Sequence, residues 1–506
     1  MSDRTRGYLI VLTCIMSSMA LAMSSTIINV AVPDIMGAFG IGQDLAQWMA
    51  TAFFAAMSSG LLASSWAIRS FGERRVFVCM MALFITASII GGSGQDFNSI
   101  ILSRMAQGFS AGISLPLTQL AMYRVFGPDK RSLANGLFGF SFVLGPGIGP
   151  WIGGMAVDAF DWRSVFYVAP PIAAITALLA SYVLAPREEM GPKPKFDILG
   201  FGLLSVFLVC ILSALSDGQR LGWQSDQVVF LMSAGIFLAI GFIFWEWKND
   251  NRLLDVRRFS SPQFAAANVI SFLFGIGLFG SLYLLPIFVQ IVQNYTPTRA
   301  GLVLIPAGLI LGIVMPVMGR IGDRIPAHMP IIIGTLGFVL SCYALGIADA
   351  NTGFWAFALI VMFGRGAHSA IFPPLMAAGL KNIPVKEIPA ANGTINFTRQ
   401  LGGAFGINLL AIYLERKISF FSEHISTTQS PAHSASKEFL YKVTDIFSFA
   451  GLSDSVSQPA AIIYLNQTFV AQANMLAFRE TFIMLGIVSG IGVIFAFILK
   501  PPSNKS

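Results

Sequence analysis

The chain has 506 residues, of which 55% are hydrophobic and 11% charged, with a formal net charge of +7. A soluble chain of this length could not hide so much apolar surface, whereas a bilayer accepts it. The 32 basic residues are dispersed over many short segments and form no patch, which excludes a nucleic-acid-binding protein.

A bilayer core takes roughly 20 apolar residues per helix. That length predicts fourteen membrane-spanning helices, at 8–31, 47–68, 76–95, 99–121, 134–157, 163–184, 197–215, 227–247, 263–291, 299–319, 330–348, 353–379, 391–414 and 476–499. Arg4 and Arg6 precede the first run, but it is too long for a signal peptide and thirteen more follow it. Basic residues crowd the segments on one side: Arg69, Arg74, Arg75, Arg124, Lys130, Arg131, Arg187, Lys193, Lys195, Lys248, Arg252, Arg257, Arg258, Arg320, Arg324, Lys381 and Lys386. The short loops of the other side hold only Arg163, Arg220 and Arg299. The positive-inside rule then puts both termini in the cytoplasm, as an even helix count requires, and makes this a multi-pass protein of the inner (plasma) membrane.

The charged, Pro-rich stretch at 186–196 closes a first block of six helices (1–186). Helices seven and eight and their linkers follow (187–259), with a second charged break at 247–259, and then a last block of six (260–506). The outer segment at about 415–475 is long, rich in Ser and Thr and mildly amphipathic. Such a loop is an outer cap, a partner site or a mobile excursion. A weak repeat links the blocks. Arg69–Arg75 and Gly319–Arg324 each follow a second helix, and Arg104 and Arg365 each lie in a fourth helix. Matching charges in two halves point to duplicated bundles rocking about a central site.

In the fifth span, Gly145, Gly149 and Gly153 recur every four residues. Small residues at that spacing let another helix come close, and Pro146 and Pro150 bend the axis. The functional reading of Gly145, Gly149, Pro150, Gly153 and Gly154 is a hinge that seals one side of a pathway; plain tight packing is the alternative. An ionisable group inside a span is costly and so a functional candidate. This singles out Arg104, Arg365, Arg399 and Glu480, with Asp34 at the outer end of the first helix. His368 lies one turn from Arg365. Asn29, Gln47, Gln119, Asn268, Tyr283, Gln290 and Asn396 are polar residues in spans that could face a wet cavity. Gly275–Gly280 matches GxGxxG but sits inside an apolar span, so it is no dinucleotide site. No phosphate-binding GxxxxGK[ST] occurs, the four His and four Cys have no metal spacing, and no nucleophile–base pair appears. The expectation is a non-enzyme with neither cofactor nor metal.

Several of these segments resemble motifs of the major facilitator superfamily, and of its fourteen-helix drug:proton antiporters of the EmrB/QacA type in particular. Gly145–Gly154 resembles the antiporter signature gxxxGPxxGG, and Met23–Pro33 the first-helix motif LDxTIVNVALP. Arg104–Gly108 is similar to RxxQG, and Gly319–Arg324 to the loop motif GxxxDR. Tyr283–Pro286 and Asn396–Gly403 also fit. The likeness covers essentially the whole chain. It implies an all-helical fold of two six-helix bundles plus two intervening helices. It also implies export of lipophilic compounds, cations among them, by alternating access against inward protons. Arg104 would tune coupling, and Asp323 with Arg324 would latch the cytoplasmic gate. The carboxylate of the first-helix motif is replaced by Ser24, so Glu480 is the leading proton candidate and Asp34 another. Arg69 and Ser70 replace the Asp-Arg of the first-half loop. Relatives in double-membrane bacteria can work with a periplasmic adaptor and an outer-membrane channel, for which 415–475 is the candidate dock. Two other readings stay open: an exporter of an endogenous metabolite such as a siderophore or lipid-like acid, with Arg365 and Arg399 serving an anion, and a non-transporting scaffold or sensor.

Overall fold

The computed structural model describes residues 3–126, 131–184, 195–321, 325–381, 383–384, 387–428, 434–451 and 453–499. In a bilayer every backbone N–H and C=O must be paired within the protein, which an apolar helix does alone. The described residues accordingly fold into helices, with no strand among them. The principal helices are α1 (Asp3–Ile27), α2 (Trp48–Phe71), α3 (Glu73–Ser93), α4 (Phe97–Phe126), α5 (Arg131–Ala159), α6 (Pro170–Val183), α7 (Ile198–Leu221) and α8 (Asp226–Lys248). They continue as α9 (Pro262–Ile291), α10 (Ile305–Ile321), α11 (His328–Leu345), α12 (Phe354–Ser369), α13 (Ile388–Thr428), α14 (Ser434–Phe449) and α15 (Asp454–Gly490).

Twelve stretches of the described residues are long and apolar enough to cross a membrane, against fourteen expected. The exceptions are the fourth and thirteenth expected spans. Both are full-length helices, 30 and 41 residues long. Their apolar runs are broken by polar residues that the fold buries: Ser103, Arg104 and Gln107 in α4, and Arg399, Gln400 and Asn408 in α13.

Helix pairing repeats. In the first set α1 packs on α5, α2 on α4, α3 on α4 and on α6. In the last set α9 packs on α13, α10 on α12, α11 on α12 and on α15. Each pairing of one set thus has its counterpart eight helices on, α15 standing in for the fourteenth span. The charge repeat in the sequence reflects this correspondence. Glycines set the closest pairings in both. Gly145 and Gly149 face the backbone of α1 at Met23, and Gly402 and Gly406 face α9 at Phe272 and Ile276. Helices α7 and α8 pack on each other, and α7 leans on α13 and α2. Between α2 and α3 the chain turns at Gly72 alone, whose φ of 82° a side-chain-bearing residue rarely adopts.

The described residues of the stretch 415–475 are almost all helical rather than a loop. α13 runs straight through 415–428, α14 folds back on α15, and the first half of α15 continues unbroken into the last span. Buried Val443, Ala461 and Leu465 and the Ser448–Ser457 hydroxyl contact hold the two helices of the hairpin together.

Candidate functional site

The face carrying the starts of α1 and α9 is proximal here, and the opposite face, where both helices end, is distal. The two helix sets are joined most tightly at the distal end. There α5 lies against α10 and the short helix Pro297–Leu302. A Cβ built on Gly147 would sit 2.9 Å from Gly308 Cα, and one built on Gly308 would sit 2.6 Å from Gly147 Cα. One turn pair further out, Gly154 meets the carbonyl of Pro297 and Gly301 that of Pro150. Gly147 against Gly308, Gly301 against Pro150 and Gly154 against Pro297 make three backbone contacts along one antiparallel seam.

Polar side chains close the rest of that end. Asn29 Nδ2 donates to the Leu282 carbonyl at 3.0 Å, Gln290 Nε2 to the Val30 carbonyl at 3.0 Å, and Gln43 Nε2 to Tyr283 Oη at 2.6 Å. Thr298 N donates to Asp158 Oδ2 at 2.9 Å, and the Phe54 and Phe279 rings meet tilted at 44° with centroids 4.2 Å apart. At the proximal end no hydrogen bond or ion pair among the described residues joins the first set to the last. A Cβ on Gly139 of α5 or Gly319 of α10 would meet nothing within 4 Å. Toward that end Leu62 of α2 and Phe397 of α13 share an apolar cluster with Leu204 and Leu208 of α7.

The sequence candidates divide accordingly. Asn29, Tyr283 and Gln290 are fasteners of the distal closure. Gly154 and Pro150 lie on the seam, but Gly145, Gly149 and Gly153 pack inside the first set against Met23 and Ile27 of α1. The fifth-span motif thus has two faces, and only one touches the other half. Gln119 donates to Tyr123 on its own helix, as Asn396 does to Asn392. Asp323 and Arg324 lie outside the described residues.

Arg104 is only 1% exposed. Its Nε donates to the Met49 carbonyl at 2.9 Å, and its Nη1 to the Ser24 carbonyl at 3.0 Å and Gln107 Oε1 at 2.7 Å. Its guanidinium lies 4.4 Å over the Phe53 ring. Ser24 Oγ stands 3.4 Å from Nη1, so the position that lacks its carboxylate does face this arginine. Arg365 Nη1 donates to the Leu278 carbonyl at 3.0 Å. His368 Nε2 lies 3.0 Å from the Phe274 carbonyl, with its ring between those of Phe274 and Phe338. Arg399 lies over the Phe372 ring at 4.6 Å.

Glu480 sits at the distal rim, its side chain 39% exposed, with Lys417 Nζ at 2.5 Å. Its sequence neighbour Arg479 turns away to the Gly346 carbonyl at 2.7 Å. The hydrogen bond to Glu480 holds the Lys417 ammonium above its usual range. Sequence reasoning missed an acidic pair that spans the two sets at the distal end. Glu415, from α13, is pushed up by burial and then by Asp44, which lies on the turn before α2. Asp34 is likewise raised, by burial and then by Asp158 beside the seam. It also missed Gly301 and Gly308, although their seven-residue spacing was visible.

The described residues hold no group of three or more His, Cys, Asp or Glu that could bind a metal. The family model of the Major Facilitator Superfamily matches residues 14–407. The multidrug export protein EmrB of Haemophilus influenzae is 28% identical over 501 residues, covering 98% of this chain and 96% of that protein. EmrB of Escherichia coli is 26% identical over 482 residues (95% and 93%). The fatty acid resistance protein FarB of Neisseria gonorrhoeae is 27% identical over 496 (96% and 94%). Among solved structures, a bacterial homologue of the human lysosomal transporter Spinster, inward-facing and unoccupied, superposes with a TM-score of 0.64 at 14% identity, covering 99% of this chain and 98% of that one. A match over most of the chain, on a helical fold of the same kind, makes this protein a transporter of the Major Facilitator Superfamily.

Proposed function

We propose that this protein exports lipophilic compounds across the inner membrane by alternating access, in exchange for protons. The observation that carries the reading is the asymmetry of the helix sets: glycine-tight and hydrogen-bonded at the distal end, and joined by no hydrogen bond among the described residues at the proximal end. The charge distribution supports cytoplasmic termini, so the proximal face is the cytoplasmic one and this is the state that loads cargo from inside. In this reading α4 and α13 also cross the membrane, for fourteen spans. Two six-helix bundles rock about the seam, and α7 with α8 rides on the outside. The EmrB relatives, named for multidrug export, support export as the direction.

Protons load from outside at two distal carboxylates, Asp34 beside the seam and Glu415 beside Asp44, and Arg104 senses the movement of α1 and α2 through their carbonyls. Glu480 holds a rim salt bridge in this scheme and takes no part in coupling. Asp323 and Arg324 latch the cytoplasmic gate in the opposite state. The helical hairpin at 415–475 is the surface for a periplasmic adaptor leading to an outer-membrane channel. The test is efflux of a fluorescent lipophilic dye from proteoliposomes under an imposed pH gradient. Efflux that follows the gradient and stops when nigericin collapses it is expected; no gradient-dependent flux for a panel of such dyes refutes proton-driven export.

A further inference from the structure

Four helices of the first set, α1, α3, α4 and α6, pack on one another, and their proximal ends leave a cavity of about 260 Å³. Arg6, Glu73 and Arg124 line one part of it, and apolar side chains, Ile10, Val125 and Val183 among them, line the rest. The charged part is held in place. Arg6 Nε donates to the Val183 carbonyl at 3.0 Å, so the last turn of α6 is capped by a cation. The other nitrogens of Arg6 have no partner among the described residues. Glu73 is buried at the start of α3, and Arg124 Nη1 reaches its carboxylate at 3.0 Å. Two guanidinium groups thus meet one carboxylate, and that carboxylate is already engaged.

The size of the cavity narrows what it takes. Its volume falls short of the ~300–1,000 Å³ of sites that enclose a drug-sized ligand. A head group fits, and any tail lies outside. Apolar ground for a tail adjoins it. Tyr8 on α1 and Tyr182 on α6 are exposed beside the cavity, and Leu12 and Leu178 are exposed one turn deeper on the same helices. Tyrosines at one level with leucines below them mark the boundary between head groups and hydrocarbon. The cavity therefore opens at the depth of the lipid phosphates.

We propose that this cavity holds the phosphodiester of an anionic phospholipid from the proximal leaflet. The phosphate oxygens accept from the open N–H groups of Arg6 and from Arg124. The glycerol rests on Ile10 and Val125, and an acyl chain runs down past Leu12 and Leu178. A choline or ethanolamine head group would bring a further cation to a cavity whose one acid is taken. Inorganic phosphate shares the oxyanion chemistry but leaves the apolar wall unused. The bound lipid ties the proximal ends of four helices into one body whatever the protein carries, so the inference stands apart from the export reading.

The test is native mass spectrometry of the full chain in detergent, titrated with dioleoyl phosphatidylglycerol, phosphatidylcholine or phosphatidylethanolamine. The first phosphatidylglycerol should be held at least tenfold more tightly than either of the others. Arg6→Gln combined with Arg124→Gln should abolish that preference. Arg69→Gln combined with Arg320→Gln removes equal charge from the same face outside the cavity and should keep it. Gly7→Leu fills the cavity from its wall, beside Val125, and leaves both arginines in place; it should weaken the first phosphatidylglycerol tenfold. Equal retention of the three lipids overturns the proposal, as does a preference that survives in the Arg6 and Arg124 variant or is lost in the control. Displacement of the first lipid by millimolar inorganic phosphate also overturns it, in favour of a site for soluble anions. If the arginine variant fails to fold, the lipid comparison on the wild type and Gly7→Leu still decide.

Discussion

The seam between α5 and α10 has no room for a methyl group, so Gly147→Ala should open the distal side. Carbon atoms rest about 3.5–4.0 Å apart, and the new Cβ would start 2.9 Å from Gly308 Cα. Backbone cannot rotate aside as a flexible side chain can, so the two helices must part locally by roughly 0.6–1 Å to reach that spacing. Overpacking of this kind costs about 1–3 kcal/mol. The cost falls only on the state in which the seam is closed, which lowers the closed-to-open ratio by roughly 5- to 150-fold. Spin labels at Phe160 and Trp355, both exposed at the distal end, report the gap once Cys14, Cys79, Cys210 and Cys342 have been replaced. We expect a longer distance to gain population in Gly147→Ala and in Gly308→Ala. Gly139→Ala and Gly319→Ala, on the same helices but with nothing within 4 Å, should leave the distribution unchanged. If the seam variants behave like these controls, the seam is not the seal.

Three further outcomes are expected. Sealing raises the carboxyls of Glu415 and Asp34, by burial and then by Asp44 and Asp158 respectively, so the sealed state binds more protons than the open one. Acid therefore favours sealing, and that advantage is lost as pH rises through the raised values. The same label pair should show it between pH 7 and pH 5, and Glu415→Gln with Asp34→Asn should flatten the response. Glu480→Gln removes a largely solvent-facing bridge to Lys417, which is worth about 0–1 kcal/mol. Melting temperature and gradient-driven efflux should both stay close to wild type, and loss of coupled efflux would return the proton to this residue. Ser24→Asp sets a carboxylate where Ser24 Oγ now stands, 3.4 Å from Arg104 Nη1. It should pair with the buried guanidinium and raise the melting temperature measurably; an unchanged or lower value would show that the new carboxylate does not reach Arg104.

Much of the architecture was legible because hydrophobic runs and loop charges obey the bilayer one segment at a time. The pattern weakened where a helix is buried by protein. In α4 and α13 the polar residues that make the interior chemically interesting are the same ones that lower the apolar signal. The helices within 415–475 were less legible because Ser, Thr and charged residues interrupt their apolar positions. Among site residues, Arg104 and Arg365 announced themselves as charges in spans, and Ser24 proved to face Arg104. What a single sequence could not give was which face of the fifth span meets which neighbour. Gly145 and Gly147 are two residues apart yet touch different halves of the molecule, a distinction made only by the packing of α1 and α10. The pairing of Glu415 with Asp44 was equally hidden, since each looks like an ordinary solvated acid until α13 is seen to reach the turn before α2.

The length of α13 has a mechanical consequence. Its 41 residues make a rod of about 60 Å at ~1.5 Å per residue, twice the ~30 Å of a hydrocarbon core. Since it packs along α9 and α15, the rod cannot bend independently of the set it belongs to. It therefore behaves as a lever whose fulcrum lies in the membrane. Were that set to turn by about 15°, the size of rotation seen between haemoglobin subunits, a tip ~20–25 Å beyond the core would sweep roughly 5–6 Å. A movement too small to notice at the arginines is in this way magnified outside the membrane, where a soluble protein resting on the hairpin could feel each turnover.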